Sequence, residues 1–121
     1  MPRDPYLEQL VAWEKAVAIE TRGRKSGRPA VAAVGFVEEP DGALLVAAGD
    51  PGANWAANLR ADPRCGARIG TRRTACIAEE LDGAPRARAI TELILKYGTP
   101  AERLGAGPAF RLRPEAAAPT A

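Results

Sequence analysis

Residues 16–39, "AVAIETRGRKSGRPAVAAVGFVEE", decide the fold. Two runs of small and β-branched residues, "AVAIET" at 16–21 and "PAVAAVGFVEE" at 29–39, read as strands, each bounded by glycine, proline or charge. Between them "TRGRKSGRPA", residues 21–30, packs Arg22, Arg24, Lys25 and Arg28 into one bend with Ser26, Gly23 and Gly27. Glycine permits left-handed backbone angles and close approach, so successive N–H groups can converge on an oxygen there while the cations add charge. Three readings of the bend follow: a solvated cationic turn, a clamp for DNA, or a cradle for an anionic tail of a cofactor. The Gly-Arg-Pro content suits a minor-groove arm. Such arms lie in disordered segments, whereas strands flank this one.

Composition narrows the choice. The chain has 121 residues, 46% of them apolar, enough for one packed core, and one domain spanning 1–121 is expected, its barrel core at about 15–113. Seventeen Lys and Arg stand against fifteen Asp and Glu, so the basic bend is a local concentration in a nearly neutral protein. The start "MPRDPYLEQL" lacks a signal-peptide pattern and no apolar run is long enough to span a membrane, so a cytoplasmic protein without a membrane span is expected. There is no histidine, which removes His-based triads and most zinc sites. No metal is expected.

Around the deciding stretch the pattern continues. Pro5 and the spacing of Leu7, Leu10 and Val11 predict a short amphipathic helix with Asp4 as N-cap. Pro40-Asp41-Gly42 predicts a turn into a third strand ending at Ala48, Gly49 and Asp50. "GANWAANLRADP", 52–63, reads as a helix with Asn54 as cap, Trp55, Asn58 and Leu59 on one face, and Pro63 as its stop. "RCGARIG" and "TRRTACIAEE" make a hairpin; pairing Gly70 with Arg73 sets Cys65 diagonal to Cys76, beyond easy disulfide reach, and both are expected as reduced structural thiols. A helix over 85–98 carries Ile90, Leu93, Ile94 and Tyr97 at helical spacing, "PAFRLRP" is a last strand, and 114–121 reads as a frayed tail. Five or six short, mostly sequential strands with three small helices imply an α+β fold built on an antiparallel barrel. Exposed sheet edges favour a homodimer.

"TRGRKSG" followed by "W-x-x-N-L-x-A-x-P" resembles the deazaflavin-dependent nitroreductase and quinone reductase family, over roughly residues 15 to 113. The resemblance implies a mainly antiparallel split β-barrel of the FMN-binding split barrel-like kind. It also implies coenzyme F420 as cofactor, with FMN as the alternative, and hydride transfer to a quinone, nitroaromatic or other conjugated small-molecule acceptor. Carried over onto this chain, it makes Arg22, Arg24, Lys25, Ser26 and Gly27 the holders of the coenzyme's phosphodiester and glutamate tail. Ala48 and Gly49 then run along the coenzyme, and Trp55 and Asn58 flank its ring system. Where family quinone reductases set several tyrosines about the acceptor, the C-terminal helix here offers Tyr97, a candidate proton source. The chain also has Asp50 where relatives carry a longer loop with a lysine, and Ala30 where an arginine often follows the proline. A non-catalytic binder of F420, flavin or an apolar ligand is the alternative, and a basic-loop nucleic-acid module a third reading.

Overall fold

A computed structural model describes residues 5–98, 105 and 107–115. Among the described residues the elements follow in chain order as α1 (Pro5–Ala12), β1 (Val17–Arg22), β2 (Pro29–Val34), β3 (Val37–Glu38), β4 (Leu44–Ala47), α2 (Asn54–Ala61), β5 (Arg64–Ile69), β6 (Arg72–Leu81), α3 (Gly83–Tyr97) and β7 (Ala109–Pro114). All strand pairs are antiparallel, in the order β2-β1-β5-β6-β7-β4-β3. The sheet curls until Arg72 of β6 meets Glu38 of β3 at 3.8 Å, but β2 and β3 do not pair, so the barrel is split.

Alternation explains the curl. Val17, Ile19 and Thr21 point inward from β1, and Leu44 and Val46 from β4 meet them with Ala67, Ile69, Phe110 and Leu112 in the main core. Each large aliphatic or phenyl group hidden this way contributes roughly 1.5–3 kcal/mol. The outward face is covered in two places. Val11 and Leu10 of α1 sit on Ala18 and Ala33, while Ala89 and Leu93 of α3 sit on Leu45, Ala47 and Ala109. That double use is why β4 is buried on both faces. α3 stops at Gly98, whose left-handed φ of 65° lets its N–H reach Ile94 O at 2.7 Å.

Three expectations are corrected. The β5–β6 turn is Gly70-Thr71, flanked by the pair Ile69 and Arg72, so Cys65 and Cys76 lie directly opposite each other rather than diagonally. Gly70 has φ 60°, which makes it a turn residue and not the last strand residue. Both cysteines are nevertheless free thiols, as expected, and burial pushes the Cys65 thiol up to about 12. Asn54 does not cap α2: Ala53 is the N-cap residue, and no side-chain capping bond is made. α3 begins at Gly83, ahead of Pro85. The proposed cap Asp4 and residues 116–121 of the tail lie outside the described residues.

Candidate functional site

The bend is built by two glycines used differently. Gly27 adopts φ 72°, the left-handed region that favours glycine. Gly23 instead needs its missing side chain, because a Cβ there would sit 2.8 Å from Ser26 Oγ and 2.9 Å from Arg28 O. The loop closes on itself: Gly23 N–H donates to Arg28 O, Gly27 N–H to Gly23 O, and Arg28 N–H to Ser26 Oγ.

Helix α2 fastens the bend from inside. Asn58, 4% exposed, accepts from Arg24 N–H at 3.2 Å and from the Arg24 guanidinium at 2.8 Å, and its amide donates to Thr21 Oγ1 at 3.0 Å. Arg24 also reaches Asn54 O and Oδ1, at 3.4 and 3.3 Å. Every polar atom of the Asn58 side chain is therefore spent on protein partners, and Arg24 is a strut between bend and helix. Arg22, Lys25 and Arg28 differ. Among the described residues their side chains make no ion pair or hydrogen bond; behind the hydrogen bonds from Arg64, Arg22 helps hold the Asp62 carboxyl below its usual range, and Lys25 and Arg28 remain uncommitted beside the turn.

Trp55, also on α2, is half-buried with its ring centroid 5.8 Å from that of Phe110, and it packs against the main core with Ala48. One helix thus carries Asn58 to the bend and Trp55 to the strand end at Ala48. Ala48 is held by two contacts that sequence reading missed. Its N–H donates to Pro108 O at 2.9 Å, and Gly107 comes so close that a Cβ there would lie 2.2 Å from Ala48 O. The Arg86 guanidinium holds the segment with bonds to Gly105 O at 2.9 Å and Gly107 O at 2.6 Å. Asp50 turns its carboxylate onto its own loop, accepting from Gly52 N–H at 2.8 Å, while Gly49 is exposed.

The structure thus brings together Arg22, Arg24, Lys25, Ser26, Gly27 and Asn58 at the bend, with Ala48, Gly49 and Trp55 along the strand end and helix that follow. Tyr97 is not among them. Its hydroxyl accepts from Phe36 N–H at 3.0 Å and lies 2.9 Å from Lys15 O and 3.1 Å from Phe36 O, its acceptors. Those partners sit at the opposite end of the β1–β2 hairpin, about 20 Å along the strand from the bend. Among the described residues no group of His, Cys, Asp and Glu forms a metal cluster, and no helix is long and apolar enough to cross a membrane.

A curled antiparallel sheet of seven strands with a cationic hairpin bend fastened to a short Trp-bearing helix defines a split-barrel domain. The profile of the F420H(2)-dependent quinone reductase family matches residues 8–103, and the chain belongs to that family. The fold is shared with a solved F420-H2 dependent reductase, FDR-A, at 27% identity and TM-score 0.72, covering 82% of this chain and 94% of that one. A protein solved as a domain-swapped dimer superposes with TM-score 0.71 at 24% identity, covering 89% of this chain and 94% of the other. The heme storage protein HutZ from Vibrio cholerae gives 0.66 at 20% identity over 97% and 93% of the two chains, a likeness of fold alone. No curated relative matches the chain.

Proposed function

We propose that this protein is an F420H2-dependent oxidoreductase acting on quinones, with nitroaromatics and other conjugated acceptors as further substrates. The observation that carries the reading is the division of labour at the bend: Asn58 and Arg24 fix its shape, leaving Lys25 and Arg28 without counter-charges among the described residues, while Arg22 has only the through-space pull of Asp62. The donor set suits the coenzyme, whose tail bears a phosphodiester and carboxylates. Each charge-assisted bond contributes about 1.5–3 kcal/mol before screening, so three at the upper end reach the roughly 8 kcal/mol of micromolar binding.

In this reading Arg22, Lys25, Arg28, Ser26 and Gly27 hold the tail, and Trp55 with Ala48 and Gly49 orients the ring system. Arg24 and Asn58 move from the role of tail and ring contacts to that of scaffold. The bound coenzyme would supply the hydride. The chain's own residues supply orientation and exclusion of water, which a chain without histidine can do as well as any other. Tyr97 takes no part, since its hydroxyl is engaged elsewhere, and the proton for the acceptor comes from solvent. A homodimer paired along β2 fits the same picture, because β2 is an open edge strand with Val31 exposed.

Fluorescence titration with oxidised F420 and with FMN tests the cofactor. The paired change Lys25→Ala with Arg28→Ala should weaken F420 binding about tenfold or more while barely moving Tm, since exposed cations add little to folding. Unchanged affinity would remove the bend from the site. Stopped-flow oxidation of bound reduced coenzyme by menadione tests turnover, with NADPH expected to be inert as donor. Tight binding without acceptor-dependent oxidation across quinones and nitroaromatics would leave a binder and not an enzyme.

A further inference from the structure

The outward face of the sheet is covered by α1 at Ala18 and Ala33 and by α3 at Leu45 and Ala47, which leaves the strip between them open. On that strip lies a cleft of about 450 Å³ over β1, β5 and β6. Its floor is low because the row Glu20, Gly66 and Ala75 runs across three paired strands with only a methyl group and a hydrogen at the last two positions. Arg22, Arg64 and Arg73 line it, with Gly27 and Pro29 at the end toward the bend. Arg73 lies close over Gly66, where a Cβ would sit 3.0 Å from its guanidinium and push it aside by a few tenths of an ångström.

Charge in the cleft is unbalanced. Glu20 is the sole carboxylate among its described lining residues, and it accepts from Arg73 at 2.6 Å. Arg64 is loosely tied to Asp62 at 3.4 Å, and Arg22 makes no ion pair among the described residues but shares the through-space pull of the same Asp62, which leaves three guanidinium groups against two carboxylates. The Glu20 carboxylate already stands where a bound anion would, gripped by one guanidinium with two more nearby. Strand alternation puts this cleft on the other side of the sheet from Trp55, Ala48 and Phe110, which belong to the inner core.

We propose that this cleft is a second binding site, for a small, multiply charged oxyanion of the phosphate or polycarboxylate class, separate from the inner face that carries Trp55. Planar guanidinium forks match such oxygens in paired hydrogen bonds. Arg22 and Gly27, which the proposed function gives to the coenzyme tail, also line this cleft, so the two sites adjoin at the bend.

Backbone amide NMR of the full chain, titrated with inorganic phosphate and, separately, with citrate, tests it. Saturable shifts are expected at Glu20, Gly66 and Ala75. The pair Arg64→Ala with Arg73→Ala should weaken them about tenfold, since both side chains are exposed and lose only surface ion pairs. Glu20→Gln, which removes the internal competitor, should tighten binding about threefold. Linear, unsaturated shifts, or affinities indifferent to both variants, would overturn the site. Repeating the titration with F420 present distinguishes the sources of anion. An unchanged curve supports an independent site for a free anion, and competition would make the cleft an arm of the coenzyme site and overturn its independence. Failure of F420 to bind leaves the phosphate and citrate results standing.

Discussion

The β1–β2 hairpin is held at each end by a helix, and the two fastenings differ in what they leave over. At the bend, Asn58 of α2 takes the Arg24 backbone and guanidinium and the Thr21 hydroxyl, and two neighbouring cations, Lys25 and Arg28, are left without partners among the described residues. At the far end, Tyr97 and Lys96 of α3 close on main-chain groups. The tyrosine hydroxyl meets Lys15 and Phe36, the lysine ammonium donates to Phe36 O at 2.7 Å, and the same ammonium lies 3.8 Å above the Phe36 ring. Both are helix-to-hairpin locks. One leaves charge over and the other consumes it, and that difference separates the two ends more surely than residue type does.

The comparison breaks most visibly at Asn58. Asn58→Ala strands a buried hydroxyl and an Arg24 N–H, so stability should fall by about 2–3 kcal/mol, read by chemical denaturation. F420 affinity should fall about tenfold or more with it, because the bend loses its shape. Loss of stability with intact affinity would show that the cations work without the strut. Tyr97→Phe probes the other end. Removing the hydroxyl should cost about 1 kcal/mol, with water relieving part of the loss at this half-exposed position, while menadione turnover stays within about twofold. A large kinetic effect with unchanged stability would return Tyr97 to the reaction.

The smallest effect is expected away from both ends, at Glu39. Its carboxyl is held below the usual range, chiefly by the hydrogen bond from Arg88, with Arg111 adding to this and burial opposing it. A carboxylate depressed in the folded state adds stability above its unfolded pKa, and that stability is lost as pH falls through the folded value. Glu39→Gln should therefore cost about 0.5–1 kcal/mol at pH 7 and flatten the decline in Tm between roughly pH 5 and 3. An unaltered acid limb would assign the decline to other carboxylates.

Much of this was legible in the chain. β-branched alternation located β1 and β2, and the crowding of glycine and cations located the bend between them. What remained hidden depended on apposition. That Arg24 is spoken for and Arg28 is not follows from a helix 30 or more residues away, and no local spacing encodes it. The separation of three between Trp55 and Asn58 suggested one shared cleft, whereas the fold sends the indole to Phe110 and the amide to the bend. The cysteine register failed for a narrower reason. Glycine marks a turn, but a strand reading that keeps Gly70 as a paired residue shifts the partner strand by two positions. The N–H of Gly70 in fact goes to Val11 O of α1, at 2.9 Å.

Gly107 shows how far from a ligand a position can be intolerant. Its Cα faces the carbonyl of Ala48 with no room for a methyl group, and the clash is with backbone, which cannot swing aside. Any side chain there must push the 48–50 strand end, and so in a saturation library position 107 should accept glycine alone. Gly98, equally exposed to mutagenesis and open on all sides, should fail only by degrees, through its φ of 65°. A map of tolerated substitutions would then trace the outline of the proposed cofactor pocket through residues that never touch its contents.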